Sequence, residues 1–258
     1  MTVYFIGAGP GAADLITVRG AELLTRCRTC LYAGSLVPRE LLDRLPAGAA
    51  AIDTARMPLT RIIAEIAKAH EAGHDVARLH SGDLALYSAL TEQLKHLREL
   101  DIPYELVPGV PAFAAAAAAL DAELTVPGVA QSLLITRVST LSTDMPPGED
   151  LASLARTGVT LALHLAAHRT EQIVEELTPH YGADAPTATV AFASRADQQI
   201  VRAPLADLPA ALADAGITKT AVILVGRALD GAAHPDLVDS YLYSQARMTK
   251  LRGNVADA

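Results

Sequence analysis

The sequence predicts an α/β protein made of two domains. Runs rich in β-branched and aromatic residues alternate with helical apolar stripes, an order that produces a mostly parallel sheet covered by helices. The alternation breaks at residues 121–130, which contain Pro127-Gly128. We therefore expect an N-terminal α/β domain at 1–120, a linker at 121–130 and a C-terminal α/β domain at 131–258. The apolar fraction of 51% is enough to bury a substantial core.

The first half alternates strands and helices from its first residues. Ile62, Ile63 and Ile66 share one helical face, and Gly73 follows as a stop signal. The predicted elements are a strand at Val3–Ile6, a helix at Val18–Arg26 capped by Thr17, a strand at Thr29–Tyr32, a helix around Ile62–Ala69, a strand at Val76–His80, a helix at Leu86–Leu97 and a strand at Tyr104–Val107.

The second half shows the same kinds of segment beyond the break. Residues 140–150 contain Pro146-Pro147-Gly148 and are predicted to form a loop that could lie over a cleft. The predicted strands are Ser132–Thr136, Thr160–Leu165, Thr187–Ala193 and Ala221–Val225, and the predicted helices are His168–Leu177 and Leu205–Ala215.

Composition excludes several classes of function. The chain carries 21 basic and 29 acidic residues, a net charge of −8, which argues against nucleic acid as a partner. No apolar run approaches the roughly 18 residues of a membrane helix, and the first residues lack the basic region of a signal peptide. We therefore expect a cytoplasmic protein without a membrane partner.

The sequence contains two pairs of side chains of types that can bind metal ions, and neither pair predicts a metal centre. Cys27 and Cys30 have redox-motif spacing, but they lie at a helix-to-strand junction without a second pair. His164 and His168 are separated by a predicted strand end, and no third ligand is evident.

The first glycine-rich turn fits two kinds of ligand. Gly7-x-Gly9-x-x-Ala12 after a strand matches the dinucleotide fingerprint, which keeps a nicotinamide-dependent oxidoreductase open as an alternative. Two features count against it. The strand ending at Tyr32 supplies no acid for a ribose, and the next helix starts only after Thr17, too late to receive a pyrophosphate.

Two more glycine-bearing turns follow later strands. Ser81-Gly82-Asp83 and Pro108-Gly109 both come at predicted strand ends, where open α/β sheets bind ligands. Asp83 can accept hydrogen bonds from a ligand, or it can cap the following helix, and position alone leaves both possibilities open.

Together these segments resemble the tetrapyrrole methylases. The resemblance rests on residues 7–17, Ser81-Gly82-Asp83, Val107-Pro108-Gly109 and the late strand at 220–226, and it spans residues 2–230. It implies two α/β domains with an active-site cleft between them, S-adenosylmethionine as methyl donor with S-adenosylhomocysteine as product, a tetrapyrrole substrate and a homodimer. Residues 32–37 and 145–149 resemble one branch of the family in particular.

The resemblance also implies site residues. Its contacts to S-adenosylmethionine correspond to Pro10, Gly82, Asp83, Leu86, Pro111, Ala112, Leu165, Ala193, Thr220 and Ala221. Contacts to the substrate are expected at Ser35 and Met145, and at three arginines in or beside loops, Arg56, Arg137 and Arg195, because acetate and propionate groups need fork-like donors.

No catalytic residue is assigned, since the methyl carbon of a sulfonium is already electrophilic and the protein need only align donor and acceptor. Three alternatives stay open beside this reading. They are a family member acting at another ring position, a member that binds the donor without catalysis, and the nicotinamide enzyme.

Overall fold

A computed structural model describes residues 1–139 and 144–256 of the chain. Contacts within the chain divide it into two compact units. Unit 1 comprises Met1–Ala116 together with Phe192–Gln198, and unit 2 comprises Ala117–Ala191 with the chain from Gln199 onward. The domain bounds and the cleft expected from the sequence stay predictions.

Unit 1 is built on a five-stranded sheet. Its strands are β1 (Val3–Gly7), β2 (Thr29–Tyr32), β3 (Ala50–Asp53), β4 (Val76–His80) and β5 (Tyr104–Val107). Their order is β3-β2-β4-β1-β5, and every neighbouring pair is parallel. All carboxyl ends therefore lie on one edge, which is where parallel sheets bind ligands.

Helices bury apolar side chains on both faces of this sheet. They are α1 (Val18–Leu24), α2 (Leu59–Glu71) and α3 (Leu90–Glu99), and α4 (Ala112–Ala119) follows β5. Phe5 of β1 packs in one core cluster with Ile66 of α2, and Ile6 packs in another with Leu24 of α1. The predicted Thr17 cap is confirmed, because its hydroxyl accepts a hydrogen bond from the Gly20 N–H at 3.2 Å.

Unit 2 holds a second five-stranded sheet of mixed direction. Its strands are β6 (Leu133–Arg137), β7 (Thr160–His164), β8 (Pro186–Ala191), β9 (Gln199–Pro204) and β10 (Ala221–Val225), and its helices are α5 (Leu151–Ala155), α6 (Thr170–Tyr181), α7 (Leu208–Asp214) and α8 (Gln245–Ala256). The order is β6-β7-β10-β8-β9. Only β6 and β7 pair in parallel, while the other neighbours are antiparallel.

The predicted α/β class is confirmed, but several predicted bounds are wrong. The sequence analysis missed β3 and β9, which are edge strands. It also began α3 at Leu86, whereas the helix starts at Leu90. Tyr87 and Ala89 adopt left-handed backbone angles, with φ of 52° and 50°, and that conformation is incompatible with a helix through this stretch.

The segment expected to be a linker, 121–130, is packed within unit 2. Val126 and Val129 are buried together with Ala228. The Thr160 hydroxyl donates a hydrogen bond to the Leu124 carbonyl at 3.1 Å. In the part of the chain that the structure describes, no helix has both the length and the apolar character needed to cross a bilayer.

Candidate functional site

Three glycine-bearing loops meet at the carboxyl edge of the first sheet. Gly9 and Gly82 exchange backbone hydrogen bonds, at 3.2 Å from the Gly9 N–H and 2.8 Å from the Gly82 N–H. A Cβ on Gly7 would lie 2.6 Å from the Cα of Gly109 and 2.8 Å from the Gly82 carbonyl oxygen. The loops after β1, β4 and β5 therefore touch through their backbones, and side chains at these positions would separate them.

Asp83 joins two of these loops. Its Oδ1 accepts a hydrogen bond from the Ala85 N–H and its Oδ2 accepts one from the Gly109 N–H, both at 2.8 Å. The alternative of a helix cap is wrong, because Ala89 stands at the N-cap of α3. The carboxylate thus holds the turn after β5 against the turn after β4.

The expected contacts to the methyl donor in unit 1 gather along this edge. Pro10 follows β1, Gly82, Asp83 and Leu86 follow β4, and Pro111 and Ala112 follow β5. Gly82 has φ of 67°, and a Cβ built there would meet only the Ala112 nitrogen, at 3.9 Å. The space beside Gly82 is therefore open to a ligand that lies against the backbone.

Unit 1 also contains a cavity of about 1040 Å³ beside these loops. It is lined by residues 11–14, Tyr32, Gly34, residues 36–40, Asp53 and residues 194–197. Segment 194–197 follows β8 and is held against the first loop, since the Ser194 hydroxyl accepts a hydrogen bond from the Ala12 N–H at 3.0 Å. Ala193, an expected donor contact, precedes this segment and is buried.

Arg195, an expected substrate contact, is among the residues that line this cavity, but its guanidinium is already engaged. Its Nε donates to Asp197 Oδ1 at 3.0 Å, and its Nη2 donates to Asp197 Oδ2 at 3.4 Å. The guanidinium also stacks 5.2 Å from the centre of the Phe192 ring. The arginine therefore forms part of the wall with its charge largely balanced.

Arg39 is a cavity residue that the sequence analysis missed. It begins a 3-10 helix, Arg39–Arg44, and lines the cavity with an exposed side chain. Within residues 1–139 and 144–256, no hydrogen bond or ion pair engages its guanidinium. Its sequence context is that of a surface arginine, so no signal marked it.

The structure does not bring every predicted substrate residue to this cavity. Arg56 is exposed on the turn after β3 and is not among the lining residues. The side chain of Ser35 lies outside the described part of the chain.

The predicted residues of unit 2 lie at one edge of the second sheet. Arg137 pairs with His164 across β6 and β7, and Leu165 follows directly. Ala221, the first residue of β10, pairs with Ala191 and lies at this same edge, because β10 runs antiparallel to β7. Leu165 and Thr220 have left-handed φ angles of 54° and 53°, and such strained non-glycine residues concentrate at functional sites.

Arg137 is tied to the loop that follows β6. Its guanidinium donates hydrogen bonds to the carbonyls of Val138 and Asp144, at 3.1 and 3.3 Å. Met145 is half-buried in the chain that continues from Asp144. Residues 140–143 of the predicted covering loop lie outside the described residues.

The geometry gives no support to thiol redox chemistry, a metal centre or a nicotinamide cofactor. Both thiols, Cys27 and Cys30, are buried, and burial raises the pKa of each to about 12, so the reactive thiolate is disfavoured. Among the described residues, no group of three or more His, Cys, Asp or Glu side chains is placed to hold a metal ion. A short 3-10 helix, Ala13–Leu15, follows the first glycine turn, and the first α-helix begins only at Val18, away from where a pyrophosphate would need it.

Comparison with known proteins identifies the family. The family model of the tetrapyrrole (corrin/porphyrin) methylases matches residues 2–209. The chain belongs to this family. Among curated tetrapyrrole methylases, the precorrin-4 C(11)-methyltransferase of Rhodococcus erythropolis is 58% identical over 247 residues, covering 96% of this chain and 98% of that protein. The protein of the same name from Mycobacterium tuberculosis (strain H37Rv) is 59% identical over 248 residues, with the same coverage.

A solved structure of the family supports the fold assignment. The X-ray structure of a cobalt precorrin-4 methyltransferase, an enzyme of cobalamin biosynthesis, superimposes with a TM-score of 0.86 at 40% identity. The match covers 89% of this chain and 96% of that one. The tetrapyrrole methylase fold expected from the sequence is therefore confirmed.

Proposed function

We propose that this protein transfers a methyl group from S-adenosylmethionine to ring carbon 11 of precorrin-4 in cobalamin biosynthesis. The observation that carries the proposal is the identity of 58–59% with two precorrin-4 C(11)-methyltransferases over nearly their whole length. Residues 32–37, which resemble that branch of the family in sequence, contribute to the wall of the cavity in unit 1.

The loops at the edge of the first sheet fit the methyl donor. S-adenosylmethionine supplies an electrophilic methyl carbon when bound, so the chain needs no nucleophile of its own. Gly82 leaves open space for a ligand against the backbone, and Asp83 fixes the turns after β4 and β5 around that space. The work of these residues is to orient the donor, and a reactant held in line accounts for several kcal/mol of a barrier.

The cavity in unit 1 suits a ligand that carries carboxylates, although more acidic than basic side chains line the cavity. Arg39 presents a guanidinium that engages no other described residue, whereas Arg195 is paired with Asp197. An arginine fork binds a carboxylate through two parallel hydrogen bonds. We therefore assign Arg39 to the substrate carboxylates, with Arg195 shaping the wall, and keep Arg56 and Arg137 as further candidates.

The resemblance further suggests a homodimer in the cytoplasm. Light scattering at several protein concentrations measures the mass of the particle. A monomer at all of them would contradict the dimer.

The test of the reaction uses separate incubations with precorrin-4, cobalt-precorrin-4 and uroporphyrinogen III, each with S-adenosylmethionine. With precorrin-4, we expect mass spectrometry to detect two products. One is a tetrapyrrole that has gained one methyl group, and the other is one equivalent of S-adenosylhomocysteine. Methylation of uroporphyrinogen III alone would favour a family member acting at another ring position. A protein that binds S-adenosylmethionine but methylates none of the three would be a non-catalytic member.

The cobalt-precorrin-4 incubation addresses the metal content of the substrate. The relatives at 58–59% identity are named for precorrin-4, and the solved structure at 40% identity is named for cobalt precorrin-4. The greater identity favours the metal-free ring, so we expect a higher kcat/KM for precorrin-4.

A further inference from the structure

A buried arginine lies in the middle of the first sheet. Arg78 is on the central strand β4, only 5% exposed, on the same face of the sheet as the core residues Phe5 and Val76. In the described part of the chain no carboxylate pairs with it, and its partners are the neutral side chains of Thr54 and Gln93. Burial lowers its pKa to about 10.

Stability alone gives no reason for such a residue. A buried charge is costly unless it is paired, and apolar side chains of similar volume are often neutral or stabilising replacements for buried ionic groups. Since Arg78 pairs with the core residues Phe5 and Leu31 of the two neighbouring strands, an apolar side chain would suit the position better. Its two hydrogen bonds therefore need a separate explanation.

The first bond leads to the loop that lines the cavity. Arg78 Nη1 donates to the Thr54 hydroxyl at 3.0 Å. That hydroxyl donates in turn to the Tyr32 carbonyl at 2.9 Å, and the Thr54 N–H donates to the same carbonyl at 2.9 Å. Tyr32 is the last residue of β2, and the chain after it lines the cavity at Gly34. Arg78 thus fixes, through Thr54, the start of residues 32–37, which we call the cavity loop.

The second bond leads to the loop that carries Asp83. Arg78 Nε donates to Gln93 Oε1 at 3.0 Å, and Gln93 Nε2 donates to the Ala89 carbonyl at 3.0 Å. Ala89 ends the segment 83–89 and has a φ of 50°. A non-glycine residue keeps this angle only where its surroundings impose it. Arg78 thus orients the side-chain amide of Gln93. The nitrogen of that amide holds the end of residues 83–89, which we call the donor loop.

We propose that Arg78 is a positioning residue that holds the cavity loop, residues 32–37, and the donor loop, residues 83–89, in register with each other. Thr54 carries its effect to the first loop and Gln93 carries it to the second. One cation in the core thereby sets the spacing of two loops that follow neighbouring strands. The assignment of substrate to one loop and methyl donor to the other rests on the proposed function.

Two conservative variants separate the two arms. Thr54→Val keeps the side-chain shape and removes the hydroxyl, so we expect the KM for precorrin-4 to rise about tenfold while the dissociation constant of S-adenosylmethionine stays the same. Gln93→Leu removes the amide, so we expect the reverse, a weakening of S-adenosylmethionine binding by about tenfold. Steady-state kinetics and titration calorimetry give the two constants.

Thr187→Val is the matched control. Thr187 is as buried as Thr54, and its hydroxyl likewise donates to a backbone carbonyl, that of Ala203 at 2.7 Å in unit 2. We expect this variant to lower Tm and to leave both constants unchanged. If Thr54→Val and Gln93→Leu behave like Thr187→Val, their bonds are structural only and the proposal is wrong.

Amide hydrogen exchange tests the positioning without any reaction. Thr54→Val should speed exchange at residues 33–37 and spare 84–89, Gln93→Leu should do the opposite, and Arg78→Met should affect both. Faster exchange spread evenly over unit 1 would overturn the proposal. If the wild-type protein fails to methylate precorrin-4, the proposed function fails, and the exchange pattern still decides the role of Arg78.

Discussion

At the scale of single residues, Asp83 links the turn after β4 to the turn after β5. Both of its carboxylate oxygens accept backbone hydrogen bonds at 2.8 Å. Sequence analysis marked this residue through its position at a strand end. It could not have found the bond to Gly109, since that contact depends on how the loops pack.

We expect Asp83→Ala to weaken S-adenosylmethionine binding, because the Gly109 N–H loses its acceptor and the two turns separate. The loss of one such bond costs about 1–3 kcal/mol. Calorimetry measures the affinity, with Asp75→Ala as control. Asp75 also accepts a hydrogen bond from a distant backbone N–H, at 2.7 Å from Thr2, but it lies before β4, at the amino edge of the sheet. Equal affinities for the two variants would refute this role of Asp83.

Arg39 is the residue to test for substrate binding. Arg39→Ala should raise the KM for precorrin-4 by about tenfold, because a charge-assisted bond contributes about 1.5–3 kcal/mol. S-adenosylmethionine affinity should not change. Arg44→Ala is the control, since Arg44 ends the same 3-10 helix and is absent from the cavity lining. An unchanged KM for Arg39→Ala, or an equal rise for Arg44→Ala, would count against the assignment.

His80 makes stability depend on pH. It is buried beside Arg78, and desolvation, together with the charge of Arg78, lowers its pKa from 6.5 to about 3. Between these values the unfolded chain takes up a proton that the folded chain refuses. The free energy of unfolding should therefore fall as pH drops below 6.5, by up to about 1.4 kcal/mol per pH unit.

Denaturant unfolding of the wild-type protein and of His80→Gln, from pH 6.5 to pH 5, isolates this contribution. We expect a smaller slope for the variant, although not zero, because burial also lowers the pKa of His164. Equal slopes of the free energy of unfolding against pH for the two proteins would contradict this role of His80. They would mean that His80 takes up a proton in the folded state as well.

At the scale of elements, three loops after β1, β4 and β5 depend on glycines that touch. Gly7→Ala would place a Cβ 2.6 Å from backbone atoms of Gly109, which cannot rotate away. We expect a loss of about 3 kcal/mol in the free energy of unfolding and weaker S-adenosylmethionine binding.

Gly73→Ala is the control for this substitution. Gly73 has φ of 70° but open space where a Cβ would lie, so only the backbone angle is strained, at about 1–2 kcal/mol. Its donor affinity should match the wild type. A Gly7→Ala protein with unchanged affinity would show that the loops tolerate separation.

Residue type explains which strands of unit 1 the sequence could predict. The bounds of β2, β4 and β5 were predicted correctly, because three of the five residues of β4 are apolar and β5 begins with a tyrosine and ends with a valine, which favour strands. β3 (Ala50–Asp53) was missed because Ile52 is the one β-branched residue in that strand. The Arg78 network was out of reach, since Thr54 and Gln93 lie 24 and 15 residues away.

At the scale of the whole molecule, the antiparallel pairing of unit 2 was the main feature that alternation could not reveal. β9 follows β8 directly, and α7 lies between β9 and β10. This order of elements is compatible with either strand direction in the sheet. Family membership was within reach, because the glycine-bearing turns occur in order along the chain. They match a family model over residues 2–209.

The position of the new methyl group tests the central claim most directly. Precorrin-4 is incubated with the protein and S-adenosylmethionine carrying a ¹³C-labelled methyl group, and the product is examined by NMR. We expect one labelled methyl group, attached to ring carbon 11. A labelled methyl group on any other ring carbon, or precorrin-4 recovered without label, would contradict the proposed function.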